Sequence, residues 1–412
     1  MNVAVLLVLL AGAGAAAAES RKLLVISVDG LDARYLGDPG RHGVGIPNLR
    51  KLVREGAAAD GVVGVTPTVT FPSHTSIVTG VPSAEHGIVS NDQPGRPGQR
   101  WWLTSYLKAR TLWDAARQRK LKTAAIYWPV TVGDGIDFNF PEFWKQRVGH
   151  DVSFADIAEK ATPGLEAKIA RVYPSFARSR WSDTAAMQAV RYLLEFEKPD
   201  LTLVHLAELD AEQHDYGVFS KHARAVLENV DSLVGWTLEK LPPGAVVALV
   251  SDHGFDNSVT MVRPKVMLGE AGIAGTVEVR EGLIGASDPA VVAFLEKQVG
   301  RHGIARQVPI AEVRHLAPHL GHWVAGFDMR QGHFASADDQ GPAIGPGNGK
   351  GSHGLWPTRE NYRASFVLWG GGVKPARLGE ISMLEIAPTL AGILEVDLPA
   401  AKRGSLWGRI RE

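Results

Sequence analysis

The chain has 412 residues, 45% hydrophobic and 21% charged, enough for one large α/β domain with an insertion or for two domains. Its 44 basic and 44 acidic side chains cancel, so no overall positive field exists to hold bulk nucleic acid. With no cysteine, disulfide bracing, thiolate nucleophiles and thiolate ligands are excluded, and any metal must be held by nitrogen and oxygen.

The first predicted element is a short apolar segment from Met1 to Leu10, followed by small residues ending in the Ala15 to Ala18 run. This pattern reads as a secretory signal cut after Ala18, with export to the periplasm or the medium as the expectation and an uncleaved N-terminal anchor as the alternative. The run is too short for a membrane span, and no other stretch reaches the required length. Residues 19–412 then form a single catalytic domain, with 255–350 as an inserted α+β subdomain.

Lys22 to Val28 is a near-continuous run of Leu and β-branched residues ending in Asp29-Gly30, which predicts a buried parallel strand opening into a loop. A helix follows from Pro47 to Glu55, then a strand from Gly61 to Val65. Ser73 to Thr79 reads as a helix stopped by Gly80, which puts Thr70 at a helix N-terminus. The alternation continues with a helix over Leu112–Lys120, a strand over Thr123–Trp128 and helical periodicity over Trp181–Phe196. A strand over Leu201–Leu206, a helix over Lys221–Lys240 and a strand over Ala245–Val250 complete the regular part. After the insertion the pattern resumes with a strand over Ser365–Trp369 and a helix over Met383–Leu394. Such alternation predicts a mainly parallel sheet covered on both faces.

Most of the residues of types that bind zinc or attack phosphorus, Asp29, Thr70, Asp210, His214, Asp252, His253 and His353, stand just past predicted strands, where open α/β sheets bind ligands. Asp210 and His214 are four apart, a spacing that sets both on one face of a helical turn. Asp252 and His253 leave the sheet together, and the two pairs suggest two metals, with Asp29 and His353 available to complete the sets. A ligand set of nitrogen and oxygen with several histidines favours zinc and leaves manganese or iron open. Two such ions would clamp an in-line displacement at phosphorus. Thr70 could supply an alkoxide to one of them. The backbone N–H groups near Thr70 and Phe71 would face the phosphoryl oxygens, and the Asn91 amide could hold a non-bridging oxygen.

Taken together, Thr66-Pro67-Thr68-Val69-Thr70-Phe71-Pro72-Ser73-His74-Thr75-Ser76-Ile77-Val78-Thr79-Gly80 resembles the nucleophile segment of the nucleotide pyrophosphatase/phosphodiesterase family, within the alkaline phosphatase superfamily. Val28-Asp29-Gly30, His86-Gly87-Ile88, Ser90-Asn91-Asp92, Ser251-Asp252-His253-Gly254, Ser352-His353-Gly354 and Ile386-Ala387-Pro388-Thr389-Leu390 match in the same order. The resemblance implies an alkaline-phosphatase-like three-layer sandwich and two zinc ions. One would be held by Asp29, Thr70, Asp252 and His253, the other by Asp210, His214 and His353. It also implies a covalent phospho-threonine intermediate on Thr70, transition-state stabilisation by Asn91, and small phosphodiesters or pyrophosphates as substrates, nucleotide-like ones foremost.

Two departures bear on the substrate. Leu209-Asp210-Ala211-Glu212-Gln213-His214 keeps the ligands but changes the linker, and His205 stands where relatives place a base-stacking Tyr. Phe71, Asn91, His205 and Trp128 are the expected substrate contacts. No Lys or Arg occurs in the matched segments to neutralise a monoester, although Arg330 or Lys350 of the insertion could supply one. A phosphomonoesterase or phosphonoacetate-type hydrolase is therefore the alternative, with a non-catalytic metal- or ligand-binding protein as a third reading. A sulfatase built on a cysteine-derived formylglycine is excluded. His74 and His86 are read as loop-orienting and the Trp101-Trp102 pair as packing, and the helical spacing of His315, His319 and His322 is not read as a further metal site, because Pro318 and Gly321 interrupt their helix.

Overall fold

The computed structural model describes residues 21–145, 147–148, 151–176 and 181–411. The expected signal over 1–18 lies outside them. Strand β1 (Leu23–Val28) is buried along its whole length, and its alternation divides the protein into layers. Leu24, Ile26 and Val28 enter one apolar cluster and Leu23 and Val25 another, as a strand covered on both faces requires.

The central sheet adds β2 (Ala57–Ala58), β3 (Thr123–Ile126), β4 (Phe138–Phe140), β5 (Leu201–Leu206), β6 (Val246–Val250), β7 (Phe366–Gly370) and β8 (Ala376–Arg377). Its order is β8-β2-β7-β6-β1-β5-β3-β4, and every pairing is parallel except those of the reversed strand β7 with β6 and β2. The helices that matter are α1 (Pro47–Glu55), α2 (Thr70–Thr79), α3 (Leu112–Gln118), α4 (Asp183–Tyr192), α5 (Glu208–Tyr216), α6 (Lys221–Leu238) and α7 (Ile386–Leu394). Leu49, Leu52, Leu227, Val230 and Val234 of α1 and α6 pack with α4 on the Leu24 face. Ile77, Trp113 and Leu390 of α2, α3 and α7 pack on the other. The result is the three-layer α/β sandwich expected.

Local chemistry sets the ends. Pro47 opens α1, a Thr111–Asp114 capping box opens α3, and Ser220 caps α6 by accepting the Ala223 N–H. Gly80 stops α2 at φ 72°, a left-handed geometry that disfavours any side chain with a Cβ. The expected strand over Gly61–Val65 stops at Val63 and pairs with Glu380–Ser382 outside the central sheet. The long helix expected over Trp181–Phe196 is α4 followed by a π-helical turn, Leu193–Glu197.

Within 255–350, strands Val277–Arg280, Leu283–Ala286, Ala325–Met329 and Ile304–Val308 form an antiparallel sheet with helices such as Pro289–Glu296. This segment has an apolar cluster of its own around Ile284, Leu295 and Phe327. Asp256–Asn257 at its start pairs with Gly351–Ser352 at its end, so both ends return to the mouth of the central sheet.

Candidate metal centre and active site

Four strand or helix ends deliver the side chains to one place. Asp29 follows β1, Asp252 and His253 follow β6, Asp210 and His214 lie on α5 just past β5, and His353 follows the short Gly351–Ser352 strand. The turn after Asp29 needs Gly30, which has φ +66°; a Cβ there would lie 2.9 Å from both Gln213 Nε2 and the Phe255 ring. The Gly30 N–H donates to Asp252 Oδ1 at 3.1 Å, which leaves Asp252 Oδ2 to face the cluster.

Two groups of converging ligand atoms result: Asp29 with Asp252 and His253, and Asp210 with His253 and His353, each with its atoms within 4.8 Å of one another. His253 Nε2 lies 3.3 Å from Asp29 Oδ1 and 3.1 Å from Asp252 Oδ2. Asp210 Oδ1 lies 3.5 Å from His214 Nε2 and 3.6 Å from His353 Nε2. The His253 and His353 rings stack at 3.7 Å, so the two groups adjoin.

The histidine tautomers follow from what the rings face. Nδ1 of His253, His353 and His214 faces the carbonyl of Gly254, Thr68 and Gly351 at 3.3, 3.2 and 3.2 Å. A carbonyl only accepts, so each Nδ1 carries the proton and each Nε2 turns a lone pair toward the carboxylates. Asp29 Oδ1, Asp210 Oδ1, Asp252 Oδ2 and His253 Nε2 are buried without a hydrogen-bond partner. Unpaired carboxylate oxygens facing imidazole lone pairs in a buried site are costly unless a cation sits between them, so the residues fit a metal. The electrostatics agree. Burial, then the Asp210 carboxylate, raises Asp29 to about 6, and burial, then Asp29, pushes Asp252 well up. Burial lowers His253 and takes His353 to about 4, which keeps both imidazoles in the neutral, ligating form.

Thr70 is the first residue of α2 and lines, with Phe71 and Asn91, a cavity of about 550 Å³ that opens onto the cluster. His74 fixes this turn: Nδ1–H donates to the Thr70 carbonyl at 2.8 Å, and Nε2 therefore accepts from Ser27 Oγ at 2.8 Å. The Phe71 N–H, expected to face a phosphoryl oxygen, instead donates to Asn91 Oδ1 at 2.9 Å. Because that N–H can only donate, the atom facing it is the amide oxygen, and the Asn91 NH₂ end is the one left for a ligand. His86 orients its loop, as expected, by accepting the Ile88 N–H on Nδ1 at 3.2 Å.

The expected substrate contacts divide. Phe71 and Asn91 line the cavity, whereas Trp128 is fully buried behind it, edge-on to the His74 ring at 5.0 Å. His205 reaches the cavity wall but is only 1% exposed and faces inward, with Nε2 2.9 Å from Asp29 Oδ2. Its burial opposes protonation, yet Asp29 and Glu142 hold its pKa well above the ordinary imidazole range. Trp102 packs edge-on against Phe71 and Trp144, and Trp101 against Tyr106. His319 and His322 pair on the surface with Glu281 and Glu278. Lys350 pairs with Asp215 at 3.7 Å, and neither Lys350 nor Arg330 lines the cavity.

The cavity also contains residues that sequence reasoning missed: Arg100, Glu142, Trp144 and Trp181. They stand on edges and irregular segments, where no spacing marks them. The Arg100 guanidinium sits 5.8 Å over the Phe71 ring and 3.3 Å from Asp92.

The model of the type I phosphodiesterase/nucleotide pyrophosphatase family matches residues 23–320. The chain belongs to that family. Human ectonucleotide pyrophosphatase/phosphodiesterase family member 1 is 27% identical over 388 residues, covering 86% of this chain and 38% of the relative. A mouse bis(5'-adenosyl)-triphosphatase is 29% identical over 248 residues, covering 57% of this chain and 47% of the relative. The chain thus spans less than half the length of these relatives. Murine ectonucleotide pyrophosphatase/phosphodiesterase 5 shares the fold, with a TM-score of 0.63 at 18% identity over 95% of this chain and 100% of that one. An inactive form of the same murine protein in complex with AMP gives 0.62 at 17% identity, over 94% and 98%.

Proposed function

We propose that this family member is a two-metal hydrolase that cleaves small phosphodiester or pyrophosphate bonds, nucleotide-like substrates foremost, through a phospho-threonine ester on Thr70. Zinc is the favoured ion, with manganese or iron as alternatives. Asp29, Thr70, Asp252 and His253 would hold one cation and Asp210, His214 and His353 the other. When bound, the pair neutralises phosphoryl oxygens and makes hydroxyl and water oxygens nucleophilic near neutral pH. The chain's own residues do the rest. Thr70 Oγ gives up its proton and forms the bond to phosphorus as the P–O bond to the leaving group breaks, the departing oxygen taking up a proton as an alcohol or leaving as a phosphate, and the Asn91 NH₂ donates to a non-bridging oxygen. Water then breaks the Thr70 ester, releasing a monoester and restoring the hydroxyl.

The observation that carries this reading is the convergence of four unpartnered buried atoms, Asp29 Oδ1, Asp210 Oδ1, Asp252 Oδ2 and His253 Nε2, beside a cavity that Thr70 lines. The test is turnover of bis-p-nitrophenyl phosphate and thymidine 5'-p-nitrophenyl phosphate by the zinc-loaded chain. Thr70→Ala is expected to abolish turnover with zinc retained, and mass spectrometry of the quenched wild type is expected to show a phosphorylated Thr70. A zinc-loaded wild type inert to every diester offered would reject the reading.

Arg100 favours a second one. It is the one Lys or Arg among the described lining residues, and a guanidinium there suits the extra charge of a monoester or terminal phosphate. Greater turnover of p-nitrophenyl phosphate than of the bis ester, lost in Arg100→Ala, would favour a phosphomonoesterase or phosphonoacetate-type hydrolase. Among the described residues no helix is long and apolar enough to cross a membrane. Export rests on the signal pattern of residues 1–18.

A further inference from the structure

His205 sits at a position where a stacking aromatic would face the substrate, yet its ring is turned into the protein. The reason starts in the sheet. In the parallel pair of β1 and β5, His205 is the register partner of Ser27, and Asp29 lies two residues beyond Ser27. Side chains two apart in a strand point the same way, so Asp29 leaves β1 toward the His205 ring. The ring is then enclosed by acceptors. Nε2 faces Asp29 Oδ2 at 2.9 Å; Nδ1 faces the Tyr127 carbonyl at 3.3 Å and Glu142 Oε2 at 3.4 Å. The neighbouring His74 ring, 4.4 Å away, has both nitrogens committed to Thr70 and Ser27.

This arrangement divides the work of the Asp29 carboxylate. Oδ2 is held by His205, while Oδ1 has no partner of its own and points at the cation cluster, 3.3 Å from His253 Nε2. Glu142, 4% exposed in the cavity wall, makes no hydrogen bond through Oε2, and that atom lies 3.4 Å from His205 Nδ1. We propose that His205, backed by Glu142, is a positioning residue that presents one Asp29 oxygen to the cation held with Thr70, Asp252 and His253. The assignment rests on the two-metal reading above, and it moves position 205 from substrate contact to metal support. Outer partners of this kind commonly set metal affinity by about 10- to 100-fold.

The test strips the full-length chain with a chelator and titrates Zn²⁺ against a chromophoric competitor. Wild type is expected to fill two sites. His205→Phe keeps an aromatic face but removes both donors. It is expected to weaken one zinc site by about 10- to 100-fold, leaving the other and the circular dichroism unchanged. Glu142→Gln, which keeps the volume, is expected to weaken the same site several-fold and carries the test if His205→Phe does not fold. A stacking role predicts the opposite: two unaltered zinc sites in His205→Phe and a change confined to KM. Wild-type zinc affinities in either folded variant overturn the assignment alone, whereas a wild-type chain that takes up no zinc overturns the two-metal reading and this assignment with it.

Discussion

Asn91 shows how one side chain can be set by what it faces. Its oxygen is committed to the Phe71 N–H, which leaves its NH₂ as a donor in the cavity. Asn91→Asp separates these two jobs, because a carboxylate still accepts the Phe71 N–H but offers no donor. We expect kcat to fall by about 10² to 10³, the usual cost of losing one transition-state donor, with zinc content unchanged by metal analysis. A full rate in Asn91→Asp would remove the residue from the reaction. Asp29, Thr70, Asp252 and His253 were legible in the sequence because each stands where a strand ends or a helix begins, in a short motif. His205 was legible as an unusual residue but not as an inward-facing one, since its direction depends on its register with β1. Glu142 carries no local signal, because only the tertiary fold brings it to His205.

At the scale of elements, the N-cap residue of α2, Val69, makes no side-chain cap, and its first turn is held instead from a distance, by Asn91 and by buried His74. His74 ties it to β1, and His86 ties the following loop to Ser76, with Nε2 3.1 Å from Ser76 Oγ. Burial lowers the His86 pKa from 6.5 to about 3. Between those values the unfolded chain binds a proton that the folded chain refuses, so stability is present above pH 6.5 and lost progressively as pH falls toward 3. The full penalty is on the order of 5 kcal/mol. His86→Asn, whose amide oxygen can replace Nδ1 as acceptor for Ile88, is expected to flatten that part of the acid limb. Denaturant unfolding of the chelated protein at pH 4.5 and pH 7 measures it, and an identical pH difference in variant and wild type would refute it. Strands β1, β5 and β6 were readable because burial on both faces demands unbroken runs of branched side chains. The two-residue strands β2 and β8 were not, since two residues display no period, and nothing local marks β7 as the reversed strand.

For the whole molecule, the site exists only because segments from Asp29 to His353 are brought to one end of the sheet, and the ordered motifs announced this better than any single residue. What the sequence did not show is how the 255–350 segment is locked down so that His353 stays in place. The lock is Arg359, fully buried, which donates to Asp256 Oδ2 at 2.9 Å and to the Arg330 and His333 carbonyls at 2.7 and 2.8 Å. Asp256 in turn pairs in register with Ser352, the residue before His353. Removing the carboxylate strands a buried guanidinium, a change that costs about 3–5 kcal/mol when one partner of a buried pair is deleted. Asp256→Ala is therefore expected to lower the unfolding free energy measured in denaturant by that amount and to loosen His353. On the proposed two-metal reading the consequence at the site is selective: binding of the cation assigned to Asp210, His214 and His353 should weaken, while binding of the one assigned to Asp29 and Asp252 should hold. Excess zinc should restore turnover at temperatures where the variant remains folded, because a ligand that binds only the native arrangement draws it back by mass action. Wild-type stability together with wild-type zinc affinity in Asp256→Ala would show that Arg359 and Asp256 do not secure the loop that carries His353.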